Sequence, residues 1–306
     1  MGAALFNRYS KTNKMKNTLT LVLFLILTLV TISMAQNDKK PVLTNPVDTL
    51  KIVKITLTDN SVLIGKILSQ SDSLTVFKSS SGLMVEIKPE LIKETDYLKG
   101  EIQDGKYVRH DPSSSRLFFS PTARTPKAGS GYFSVYELLF PFFSIAATDF
   151  LMLSGGMSIV PGASEQIIFI APKIRFFNSD NFCAAGGILY INIPDDVDDA
   201  FLGYGVITLG NQRAGFTVGY GSNISGDSDD DLTGLIILGG DVQLSNSIKL
   251  ISENYIPVGT EDTSVIYSFG LRFFGDNLSA DLGFFGVTEE TEGWPFIPWI
   301  GFTYNF

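Results

Sequence analysis

Cysteine and histidine are almost missing from this chain. Cys183 and His110 each stand alone among 306 residues. A lone cysteine excludes an intramolecular disulfide and a cysteine-rich metal cluster. A lone histidine takes away the usual base of a hydroxyl nucleophile nearly everywhere in the chain. Charge is scarce too: Asp, Glu, Lys and Arg make up 18% of the residues, against about 25% in a soluble domain. Not all of this surface is built to face water. The balance is acidic, with a net charge of −9, so the basic footprint of a nucleic-acid binder is absent. Nothing in the residue pattern calls for a cofactor. What the chain has in quantity is glycine (29) and phenylalanine (24).

The first segment reads as a targeting signal. Residues 15–36, MKNTLTLVLFLILTLVTISMAQ, carry a basic Lys16 and an almost unbroken apolar run from Leu19 to Ile32. Ser33 and Ala35 then give the small-x-small pattern of a cleavage site. The apolar run is shorter than the ~20 residues of a spanning helix, which favours a signal peptide at 1–35 over an uncleaved anchor. Cleavage after Ala35 leaves Gln36 first, not the cysteine of a lipoprotein. It also removes four basic residues and no acidic one, taking the net charge from −9 to −13.

Residues 36–50 read as a linker, with Pro41 and Pro46. Over 51–98 short alternating runs, at 51–58, 61–69, 73–79 and 83–88, are split by Asp59-Asn60, Ser71-Asp72 and Ser81-Gly82. Four or five short strands in so little chain predict a small SH3-like or Sm-like β domain, a fold that often serves as an interaction module. A second linker is expected at 99–115, with Pro112 and three serines.

From 116 to 306 apolar residues recur at every second position. In 264–274, Val265, Tyr267, Phe269, Leu271 and Phe273 share one face, and Ser268, Gly270 and Arg272 the other. The segments 277–285 and 213–221 repeat the device. Strands send alternate side chains to opposite faces, so each has a greasy and a polar side. A soluble sandwich buries the greasy faces between sheets, whereas a membrane barrel turns them to lipid around a polar lumen. The expected strands run to the ~9–11 residues of a tilted membrane strand, beyond the ~5–6 of soluble sheets. Counting back from Phe306 gives about twelve strands, the first near 116–124 and the second at 132–141, or ten if the unclear stretch 141–149 is read differently. The count also sorts charge. The segments 194–199, 223–231, 258–263 and 287–295 hold thirteen acidic residues and no basic one, while the intervening turns are short and almost uncharged. A sandwich has no reason to gather acid at one end.

The chain finishes on GFTYNF, with Phe302, Tyr304 and Phe306 at alternate positions. This ending, together with the leader, resembles outer-membrane β-barrel proteins of Gram-negative bacteria. The stretches RLFFSPTAR (116–124) and LISENY (250–255) resemble an uncharacterised Bacteroidota-type subgroup more narrowly. The resemblance implies an outer-membrane location and contact with outer-membrane lipid. It also implies an assembly signal in Phe302, Tyr304 and Phe306, read by the barrel-assembly machinery. The small domain would then lie in the periplasm, able to grip a protein partner there.

By alternation, Lys173, Arg175, Arg213, Asp241, Lys249, Glu253, Arg272 and Asp281 are expected to face the lumen. They could line a selective pore or form an ion-pair network that fills a narrow barrel, and mixed signs favour the network. Outer-membrane hydrolases need a histidine, which the barrel region lacks, so no catalytic residue is expected and the role is read as structural or passive transport. An envelope scaffold acting through 51–98 and a soluble exported ligand-binding β protein are the alternatives. The run Asp227–Asp231 lacks the spacing of a calcium loop, so no metal is expected. Cys183 is read as a small packing residue at an exterior or wall position.

Overall fold

Five short antiparallel strands open the described chain: β1 (Ile52–Leu57), β2 (Val62–Gln70), β3 (Thr75–Ser79), β4 (Met84–Ile87) and β5 (Ile92–Leu98), in the order β4-β3-β2-β1-β5. The computed structural model describes residues 51–163, 165–192, 199–224, 234–259, 264–288 and 296–306. The expected signal peptide and first linker lie outside these residues, as does most of each acidic segment. The sheet closes on Val53, Ile55, Ile67, Phe77 and Ile87, the alternate apolar positions of its strands. Asn60 (φ 65°) and Gly82 (φ 91°) make its turns.

The stretch expected to be a second linker contains a hairpin, β6 (Gly100–Gln103) and β7 (Lys106–Arg109). Asp104 and Gly105 join them, both at positive φ. Asp-Gly is a strong signal for a two-residue hairpin turn.

Thirteen further strands form one sheet: β8 (Gly131–Tyr136), β9 (Phe140–Ala146), β10 (Leu151–Met157), β11 (Ile168–Ile170), β12 (Lys173–Asn178), β13 (Phe182–Asn192), β14 (Ala200–Gly210), β15 (Ala214–Asn223), β16 (Gly234–Ser245), β17 (Ile248–Val258), β18 (Ile266–Phe274), β19 (Leu278–Val287) and β20 (Phe296–Asn305). β11 and β12 both pair with β10 on one side and β13 on the other, so they share one position in the wall. Every neighbour is antiparallel, and β20 pairs with β8. The result is a closed antiparallel barrel of twelve strands, with no α-helix among the described residues. Closure extends to the last residue, since Gly131 and Phe306 exchange backbone hydrogen bonds of 3.1 and 3.0 Å. One end of the barrel carries short turns, such as 179–181, 211–213, 246–247 and 275–277. The other end carries the long acidic segments.

The alternation holds. In β18, Ser268, Arg272 and Phe274 are buried inside, while Phe269 and Phe273 are exposed outside. β15 and β19 behave alike.

The strand expected at 116–124 is not in the wall. Those residues lie inside the barrel, with Leu117 and Phe118 buried and only an isolated bridge between Arg116 and Pro121. The count stays at twelve because the stretch read as one strand from 132, with an unclear continuation, is the β8–β9 hairpin. Its turn uses Glu137 and Leu138 at positive φ. That conformation favours glycine, and no glycine marks it in the sequence.

Candidate functional site

Residues 110–124 enter the lumen at the turn end and double back to it. On the way in, Arg109 is held outside by Asn246, through N–H to Oδ1 at 3.2 Å, and by Asp276 at 2.9 Å. On the way out, the Arg124 guanidinium donates to the Asn211 carbonyl at 2.6 Å, and the Thr125 hydroxyl to the Asp149 carbonyl at 2.6 Å. Both limbs therefore end among the short turns. Ser115 O accepts from Thr122 N–H at 3.0 Å, zipping the limbs together.

The tip of this plug is caught by one carboxylate. Glu253 Oε2 accepts three successive backbone N–H groups, from Phe118 (2.8 Å), Phe119 (3.1 Å) and Ser120 (3.1 Å). Its other oxygen accepts from the Tyr255 hydroxyl. Unpaired N–H groups at the head of a buried loop would each lose the full cost of desolvation, and an anion aimed at all three removes that cost. Around the tip, Leu117 and Phe118 pack on Ile251, Phe285 and Trp299, and Ala123 packs on Cys183, Ala185 and Val206. Glycine makes the room: a Cβ on Gly239 would stand 2.3 Å from Leu117 Cδ1.

Below the tip, seven buried charges alternate in sign in one chain. Arg116 meets Asp281 (2.6 Å), which meets Arg272 (2.6 Å), which meets Asp111 (3.1 Å). Asp111 meets Lys249 (3.4 Å), Lys249 meets Asp241 and Asp241 meets Arg124 (3.4 Å). The plug supplies Asp111, Arg116 and Arg124, and four consecutive wall strands supply the rest. The register explains the wall's share, because Lys249 pairs with Arg272 and Arg272 with Asp281 across neighbouring strands. Arg272 also donates to the Ser113 (3.0 Å), Arg116 (3.3 Å) and Leu117 carbonyls. Buried charges persist when paired, and every member of this chain has an oppositely charged neighbour within 4.0 Å.

Of the eight residues expected to face the lumen, Asp241, Lys249, Arg272 and Asp281 join this chain and Glu253 holds the tip. Lys173 is also buried, donating to the carbonyls of Ser115 (3.1 Å), Thr122 (2.9 Å) and Arg124 (2.8 Å). Arg175 and Arg213 are different. Arg175 reaches the Asp149 carbonyl (2.7 Å) at the turn-end rim, and Arg213 is exposed in the turn before β15, beside Gln103 (3.2 Å). Alternation fails at both for local reasons: the register of β12 shifts between Arg175 and Phe177, and Arg213 precedes the first residue of β15. Cys183 also departs from expectation: it faces the lumen and donates to Asn178 Oδ1 at 3.1 Å. Phe302 and Tyr304 are exposed outside, and Phe306 stacks on Phe143 at 6.0 Å.

Sequence reasoning missed Asp111, Arg116 and Arg124, which it divided between a linker and a strand. The usable signal was three charges packed around Pro112, Pro121 and a serine run.

On the loop side of the plug the lumen opens into a cavity of about 250 Å³. Phe119 of the tip forms its floor, in edge contact with Tyr136 and Phe169. The upper lumen is thus apolar, not polar as expected of the whole interior.

Neither a protein-family model nor a curated protein matches the chain. Among solved structures, the chain is similar to the KdgM porin, at 10% identity over 58% of this chain and 99% of that one, with a TM-score of 0.46. It is similar to the KdgM porin in complex with disordered oligogalacturonate at 10% identity over 58% and 98%, with a TM-score of 0.45. Similarity to the Salmonella typhi OmpF complex with daunomycin is 10% identity over 84% and 96%, with a TM-score of 0.34.

Proposed function

We propose that this chain is an outer-membrane β-barrel protein whose own residues 110–124 hold its lumen shut, with a structural or passive-transport role and no enzymatic one. Closure of the barrel leaves no free strand edge around most of the wall, which a lipid environment requires. Its outer face is apolar along β15, β18 and β19, as lipid contact demands. The turn end with both limbs of the plug is the periplasmic end, and the acidic segments face outward. Phe302, Tyr304 and Phe306 are the signal for the assembly machinery, and residues 1–35 the cleaved leader.

The observation that carries the closed reading is the seven-charge chain, shared between plug and wall with no gap. An open pore would leave such charges solvated and spread around the lumen. Planar-bilayer recording tests it. The parent protein should be silent, and replacing 111–124 with a Gly/Ser linker should give a steady conductance. A clear channel in the parent would overturn the closed reading.

The small sheet over 52–98 is an SH3-like domain on the periplasmic side. A scaffold role through it is the second reading. Its edge strand β4 begins with exposed Met84 next to exposed Leu83, apolar side chains that a protein partner could cover.

A further inference from the structure

The cavity above the plug has a composition that the closed-barrel reading does not use. Its walls are apolar, with Phe142, Met152, Phe169, Leu189, Leu202 and Ile237 among the lining side chains. Among the described residues, the charged side chains that line it are Arg116 and Lys173, both basic. An apolar chamber bordered by charge of one sign matches a molecule with the same division: a hydrocarbon chain and an anionic head.

The charge is surplus to the protein's own needs. Among the described residues, buried bases number five (Arg116, Arg124, Lys173, Lys249 and Arg272) against four buried acids (Asp111, Asp241, Glu253 and Asp281). Lys173 is the base left over, since no described carboxylate lies within 4.0 Å of its Nζ and only carbonyls surround it. Arg116, which also lines the cavity, has its Nε buried without a hydrogen-bond partner. Buried charges are ordinarily paired, so an ammonium in the lining with no carboxylate beside it marks where an anion belongs.

The wall next to this chamber is incomplete. β8 stops at Tyr136, opposite Gly301, and the Glu137–Ile300 hydrogen bond (2.9 Å) is the last across that seam. The four residues Phe296–Trp299 of β20 pair with β19 alone. Pro298 sits in that unpaired edge, a place where its missing N–H costs nothing. Tyr136 and Phe142, one from each limb of the short β8–β9 hairpin, line the cavity. Apolar side chains flank the gap, with Leu138 70% and Ile297 66% exposed. Seen from the other route, thirteen acidic residues in the loop-end segments repel an anion arriving through water. The bilayer side is the open approach.

We infer that the upper lumen is a binding site for a single-chain carboxylate amphiphile, a fatty-acid-like molecule, reached sideways from the membrane past the β8–β9 hairpin, with its head at Lys173. This rests on the outer-membrane reading but not on conductance, so a silent barrel that fails to bind would refute the site and leave the closed barrel standing.

The test uses the full chain in lipid nanodiscs, with Trp294→Phe so that Trp299 reports alone. Trp299 stacks on Tyr136 at 5.5 Å, at the edge of the gap. The probes are ω-bromodecanoate and ω-bromodecanol, whose bromine quenches tryptophan. The carboxylate should quench with saturation, and bind roughly tenfold more tightly than the alcohol, the worth of one charge-assisted contact. Lys173→Met should remove that preference while leaving the alcohol's affinity unchanged. Should Lys173→Met fail to fold, Leu202→Trp, filling the chamber in the same background and read by competition with decanoate calorimetry, should abolish saturable binding of both. Quenching that rises without saturation, or equal affinity for the two probes, would overturn the proposal.

Discussion

Arg272→Ala is the substitution that should cost this barrel most. The guanidinium makes contact with two carboxylates and three plug carbonyls. Truncation strips one partner from each carboxylate. Asp281 keeps Arg116 at 2.6 Å, and Asp111 keeps Lys249 at 3.4 Å, so neither becomes a bare buried charge. The Arg116 carbonyl loses its donor, and a void the size of a guanidinium opens between plug and wall. Removing one partner of a buried ion pair costs about 3–5 kcal/mol, and the surviving partners place this case toward the lower end. At ~2–4 °C per kcal/mol for a chain of this size, the folded barrel should lose its heat-resistant mobility on gels some 6–15 °C earlier. Arg272→Lys keeps the charge without the fork of donors that reaches both sides, and should lose about half as much. The wall's own ladder does not involve this side chain, so strand content should survive below the transition. An Arg272→Ala melt within about 1 kcal/mol of the parent would refute the claim that the charge chain binds the plug to the wall.

Two other outcomes follow from separate contacts. Gly239→Ala places a methyl group against Leu117 and the Ser252 carbonyl (2.7 Å), and should destabilise by about 1–3 kcal/mol through overpacking; the paired change Leu117→Ala should recover part of it in the same melts. Deleting Phe306 removes both hydrogen bonds to Gly131 and the stack on Phe143, and should lower the heat-modifiable fraction recovered from envelopes, with full recovery counting against a role in closure and assembly.

The wall was legible in the sequence because a strand with one apolar and one polar face writes its geometry in a period of two. β13 to β20 could be counted backwards for that reason, and Ser268, Arg272 and Asp281 fell on the inward side as the alternation required. The hairpin β8–β9 was not legible, since Glu137 and Leu138 hold a turn that neither glycine nor asparagine announces. The plug hid for a different reason. RLFFSPTAR combines apolar and small residues as a wall strand does, yet here Leu117 and Phe118 are buried by a lumen that folds around them, so the same letters serve an internal loop. Alternation reports which face a residue occupies on a strand and says nothing of chain laid inside a barrel.

The charges make sense only when plug and wall are taken together. On the wall alone, Lys249, Arg272, Asp241 and Asp281 are two bases and two acids that could satisfy one another across neighbouring strands. The plug adds Asp111 between the two bases and puts Arg116 and Arg124 at the outer ends, beside the two acids. Each wall acid then lies between two bases, and each wall base between two acids. The chain ends in cations at both limbs, and a wall sequence evolved for an empty lumen would have no use for that order. The plug's own residues carry one more base than acid, and the base left without a carboxylate is Lys173 of the wall, which also borders the apolar cavity. Closing one half of the lumen is what equips the other half for an anion.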